Sequence, residues 1–125
     1  MKYTFPALLW MALIFVSSSI PSEAFPEVSF WGWAKLIHLF YYCVLCFLVQ
    51  RALYHQRKFP GLSRHSYLIG IVVATLYGAT DEFHQMFTPG RHALVSDVLI
   101  DACGACIFLL GVKVFALMSP KETRN

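Results

Sequence analysis

Charge is scarce in this chain. Asp, Glu, Lys and Arg make up only 14% of its 125 residues, whereas 58% are hydrophobic and 16% aromatic, a balance outside that of soluble domains. No basic tract with interleaved aromatics occurs, so nucleic acid is not an expected partner. Internal repeats and low-complexity tracts are absent too, and the chain reads as a single domain over residues 1–125. It also lacks Gly-x-Ser-x-Gly, His-Glu-x-x-His and any other nucleophile signature, which weakens a hydrolase reading from the outset.

Four long apolar stretches are present, at about residues 3–20, 31–52, 66–83 and 93–118, each near the roughly 20 residues that a helix needs to cross a hydrocarbon core of about 30 Å. The predicted fold is all-α, a polytopic membrane protein built as a bundle of four transmembrane helices with short loops. The first stretch has a rival reading as a cleavable signal peptide, with Lys2 ahead of the apolar run and Ser22-Glu23-Ala24 after it; its length favours a retained span.

Orientation is read from Lys and Arg, which are enriched in cytoplasmic loops. Arg51, Arg57, Lys58 and Arg64 lie between the second and third spans with no acid among them, Lys2, Lys121 and Arg124 flank the termini, and Glu23 and Glu27 occupy the first connection without a base. Both termini are therefore expected in the cytoplasm. The connection holding Thr88-Pro89-Gly90-Arg91 is expected on the outer side.

The scarce charges are not scattered. Lys35, His38, Asp81, Glu82, His84, Gln85, Arg91, Asp97 and Asp101 all fall at the outer ends of the second, third and fourth spans, where ionisable groups are costly and functional by default. The second and fourth spans run in the same direction, which sets Lys35 at the depth of Asp97 and His38 at that of Asp101. Asp97 and Asp101 share one helix face, and Gly70, Ala74 and Gly78 form a small-residue row leading to Glu82, the pattern that lets helix backbones approach closely. Arg91 supplies a guanidinium fork suited to carboxylate or phosphate. The carboxylates can accept hydroxyl or amine protons, bind a cation or hold a proton. The plainer readings are a register-fixing Lys35–Asp97 pair, a hydrogen-bonded interior His38, and interfacial roles for Glu82 and His84.

Cys43-Val-Leu-Cys46 and Cys103-Gly-Ala-Cys106 have the spacing of a four-cysteine metal site,. Within apolar helices, however, free cysteine packs as a small hydrophobe. Helix packing is the expected role, and neither a metal nor a cofactor is expected.

The segment Asp81-Glu82-Phe83-His84-Gln85-Met86-Phe87-Thr88-Pro89-Gly90-Arg91, followed by Asp97-Val98, resembles the VanZ-like family of bacterial membrane proteins, named for a determinant of teicoplanin resistance. Lys35-Leu36-Ile37-His38-Leu39-Phe40-Tyr41 is similar to that family's Lys-x-x-His-Phe element, and Phe15-Val16-Ser17-Ser18-Ser19-Ile20-Pro21 to the end of its first helix. Asp101 departs from the pattern by standing where many relatives have Asn, and Phe108 by standing where Gly is frequent. The resemblance implies a four-helix integral protein of the bacterial cytoplasmic membrane, with a shared site at Lys35, His38, Asp81, Glu82, Gln85, Arg91 and Asp97. It implies no particular reaction, and it does not extend antibiotic resistance to this member.

The leading functional expectation is an envelope protein whose outward-facing polar site, Asp101 included, binds an anionic or sugar-bearing ligand such as a lipid headgroup or a glycopeptide-like molecule. The alternatives are a membrane-embedded hydrolase or transferase using Asp or Glu with His, and a proton- or cation-coupled transporter, which would have to be an oligomer.

Overall fold

A computed structural model describes residues 2–24, 31–91 and 95–118, and these contain helices and turns but no strand. The helices are α1 (Thr4–Ser18), α2 (Trp31–His55), α3 (Pro60–Arg64), α4 (Ser66–Gln85) and α5 (Val95–Met118), with a single 3-10 turn at Ser22–Ala24. Four of them fall on the four apolar stretches. The fifth, α3, is a single turn in the basic connection, begun by a proline at its first helical position, where the missing N–H costs nothing,. Two helices are long and apolar enough to cross a membrane, over Ala34–His55 and Val95–Val112; Thr4–Ser18 is apolar but shorter. Glu27, Lys121 and Arg124, used above for orientation, lie outside the described residues.

Side-chain meetings fix the topology. His38 reaches Asp101 and Phe47 reaches Phe108, so α2 and α5 run parallel. Gln50 donates to Ser66 while His38 lies near Glu82, so α2 and α4 are antiparallel. Tyr77 donates to the Met11 carbonyl and Thr88 to that of Ser18, which sets α1 parallel to α4. Up, down, up, down, with α2 touching every other helix: this order follows from connections too short to cross the bundle,.

Glycines set how closely the helices approach. A Cβ on Gly104 would collide with the Leu39 carbonyl oxygen and stand 3.3 Å from the Cys43 nitrogen, so α5 lies directly on the α2 backbone. On α4 the row Gly70, Ala74 and Gly78 is buried. A Cβ on Gly78 would lie 2.7 Å from Asp101 Oδ2 and 3.2 Å from Tyr42 Cε1. Where lipid offers no hydrophobic drive between helices, such close backbone contact is a main source of association.

A turn after α4 brings the chain back onto α1. The Arg91 N–H donates to the Thr88 carbonyl at 3.1 Å, with Pro89 and Gly90 between them and Gly90 at φ 73°. This is a type II turn, which needs a residue free to adopt positive φ at its third position. It aims Arg91 at the C-terminal end of α1, where its guanidinium donates to the carbonyls of Ile20 and Ser17 at 3.3 and 3.4 Å. A cation at a helix C-terminus also meets the negative end of the helix dipole.

Two predictions follow from these contacts. Gly104→Ala should lower stability by about 1–3 kcal/mol through overpacking against the α2 backbone. Gly111→Ala, on the same helix but with nothing within 4 Å of its Cβ position, should cost nothing, and unfolding titrations of both variants in lipid compare the two directly. Arg91→Ala should loosen the end of α1 by about 1–2 kcal/mol, seen as faster amide exchange near Ser17–Ile20 with α5 unaffected.

Candidate functional site

Three helices bring the site together. His38 stands two turns into α2, with Lys35 one turn before it. Asp81, Glu82 and Gln85 close α4, and Asp97 and Asp101 lie one turn apart near the start of α5. The glycine contacts described above press these helix faces together, and the polar side chains converge where the small-residue row of α4 ends.

At the centre, His38 Nδ1 lies 3.1 Å from Asp101 Oδ1 and 3.9 Å from Glu82 Oε1. Asp101 has no exposed surface, and Asp81, Glu82 and Gln85 are also buried. Gln85 donates to Asp81 Oδ2 at 3.0 Å, the i, i+4 pairing that a helix provides. Asp101 Oδ2 and Asp81 Oδ1 are buried and have no hydrogen-bond partner among the described residues. Two buried carboxylate oxygens of the cluster thus lack a donor, and the buried Tyr42 hydroxyl is likewise without a partner among the described residues. The His38 side chain keeps 16% of its surface exposed.

The other expected residues divide between the starts of α2 and α5 and the end of α1. Lys35 and Asp97 are half-buried, each one turn nearer the start of its helix. Asp97 also accepts from Ser96 at 3.4 Å. Arg91 is engaged with the carbonyls of α1. His84 packs against α1 as well, with its ring stacked on Phe15 at 4.4 Å and its Nε2 2.9 Å from Ser19 Oγ.

One member of the site, Tyr42, is not marked by the sequence, and Gly78 is marked there as a packing residue alone. Tyr42 is buried beside Asp101, its ring carbon Cε1 and Asp101 Oδ2 both lying against Gly78. Its position one turn beyond His38 on the same α2 face was the available signal, obscured because Tyr is common in apolar helices. Gly78 acts by omission, since only the missing Cβ leaves room for the Asp101 carboxylate.

The cysteines have another setting. Cys46 is fully buried in the helix packing, Cys43 is half-buried, and Cys103 and Cys106 lie on the outer surface of α5. All four are free thiols.

Chemically, the carboxylates and the imidazole can accept hydroxyl hydrogens, hold a cation or carry a proton. The same end of α2 and α4 carries the Pro-Gly-Arg turn, which gives the motif a structural meaning in addition to any chemical one.

No curated protein and no solved structure matches this chain. A family model does match, described as VanZ/LLP1, over residues 3–116. That match takes in every helix from α1 almost to the end of α5 and all residues of the polar cluster. The chain belongs to the VanZ/LLP1 family.

Proposed function

We propose that this chain is a four-span protein of the bacterial cytoplasmic membrane, and that its polar cluster receives the hydroxyl-rich headgroup of an envelope lipid or of a glycopeptide-like ligand. The observation that carries the proposal is the convergence of His38, Asp81, Glu82 and Asp101 from three helices, with two buried carboxylate oxygens left without a donor among the described residues. A sugar offers several O–H donors at once and meets that need. A bare anion would instead meet like charge, so the sugar-bearing branch of the expectation is favoured over the anionic one.

Polarity supports the four-span arrangement. Large apolar side chains face outward from every long helix, among them Leu8, Phe40, Leu76, Phe83, Leu99 and Phe115. Buried polar residues are as numerous as buried apolar ones among the described residues. Such a distribution suits a solvent of hydrocarbon rather than water. Lys2 and Arg51 both lie over the ring of Tyr3, gathering basic groups with Arg57, Lys58 and Arg64 at the end of the bundle opposite the cluster. By the positive-inside rule that end faces the cytoplasm, and the cluster faces out.

A second reading draws on one specific contact. Asp101 Oδ1 accepts a hydrogen bond from His38 Nδ1 and so orients the ring, the relationship by which carboxylates position imidazoles for acid–base work,. A membrane-embedded hydrolase or transferase would use His38 in that way.

The two readings separate on one comparison. Native mass spectrometry of the protein released from its own membrane should show a glycosylated or polyhydroxylated lipid bound to the wild type. Asp81→Asn should reduce its retention about 10–100-fold, the equivalent of one or two charge-assisted hydrogen bonds. Turnover of that lipid by the wild type, lost in His38→Gln, would favour the enzyme. An unchanged lipid profile in Asp81→Asn would contradict the binding role.

A further inference from the structure

Three ligand-type atoms from three helices meet at the centre of the cluster. One imidazole nitrogen of His38, one carboxylate oxygen of Glu82 and one of Asp101 all lie within 4.8 Å of one another. Among the described residues no other group of three or more His, Cys, Asp or Glu side chains is drawn so close. Donors bound to one zinc-like ion stand about 2.0–2.2 Å from it, and so at most about 4.4 Å apart. The separations of 3.1 Å (His38 to Asp101) and 3.9 Å (His38 to Glu82) already satisfy that limit, and closing the third side takes only a small shift.

A second observation is independent of those distances. Asp101 has no exposed surface, yet its Oδ2 meets no hydrogen-bond donor among the described residues, and the same holds for Oδ1 of Asp81, which is 5% exposed. A buried carboxylate oxygen without a donor is costly, and buried carboxylates are ordinarily paired or bound to a metal. Two carboxylates, of Glu82 and Asp101, stand within 4 Å of the same imidazole nitrogen. A divalent cation between them would offset the buried negative charge, and Asp101 Oδ2, lying against Gly78, shares the carboxylate whose Oδ1 faces His38.

We propose that His38, Glu82 and Asp101 hold a divalent first-row cation, with Zn2+ as the best fit. An imidazole ligand argues against Mg2+ and Ca2+, which take oxygen donors. Three protein ligands leave at least one coordination position open, available to a hydroxyl or phosphate oxygen of a ligand. Asp81 and Gln85 stand beside the ion as outer partners that orient the ligating groups. The proposal uses the same cluster as the binding role above but does not need that ligand, and metal content and lipid retention are read separately.

The test uses the full chain in lipid nanodiscs, stripped with chelator, equilibrated with Zn2+ or Mn2+ alone and passed over a desalting column. Elemental analysis should find about one Zn2+ per chain in the wild type and below about a tenth of that in Glu82→Gln and Asp101→Asn. The variant with Cys43, Cys46, Cys103 and Cys106 all changed to Ser should retain the full amount. Because Asp101→Asn also alters a buried contact, Co2+ absorption of the wild type gives a second readout that needs no variant. Ligand-field bands without a thiolate charge-transfer band support the site. Substoichiometric metal in the wild type, metal retained in Asp101→Asn, or a thiolate band would each overturn it.

Discussion

Asp101 is a carboxylate placed inside a helix bundle with no water-facing surface, and most of the structure can be read as the means of keeping it there. The cost of burying such a group is several kcal/mol unless partners compensate. The partners come from both neighbouring helices: His38 of α2 at 3.1 Å, and on α4 a glycine whose missing side chain makes the space. Gly104, one turn beyond Asp101, locks α5 onto the backbone of α2 in the register that this pairing requires. Packing by small residues and polar convergence are thus one constraint expressed at two depths of the same interface.

The end of the bundle that holds the cluster is braced from the other side. The type II turn at Thr88–Arg91 redirects the chain after α4, and Arg91 and Thr88 then hold the last carbonyls of α1. In this arrangement α1 is a brace. It touches α2 and α4 through Trp10 and Tyr77, each of which donates to a backbone carbonyl, and it contributes none of the carboxylates. The family motif therefore divides between structure and site: Pro-Gly-Arg closes the bundle, while the acidic pair and the glutamine point inward.

Much of this was legible in the sequence because a few strong rules apply in a membrane. The length of the apolar runs located the four long helices, and equal depth on codirectional helices already set His38 level with Asp101. The i, i+4 row of small residues on α4 marked its packing face. Other features were not legible. A sequence cannot show that Arg91 reaches the end of a helix, since its guanidinium fork suits carbonyls, carboxylates and phosphates alike. Tyr42 was hidden by its apolar ring, and α3 by its brevity. The cysteine pairs show the opposite hazard, a motif with metal-site spacing whose helical setting turns two of its thiols outward. The hydropathy of α4 is diluted by the same polar residues that give it its role, and only α2 and α5 stand out as spans by length and apolarity.

The most direct measurement of the central claim is a double-mutant cycle on His38→Ala and Asp101→Asn, with unfolding free energies determined in a lipid bilayer. A buried, hydrogen-bonded pair joining α2 to α5 should give a coupling energy of about 1–3 kcal/mol. Strictly additive effects of the two substitutions would mean that the residues do not meet, and would contradict the convergence on which the site depends.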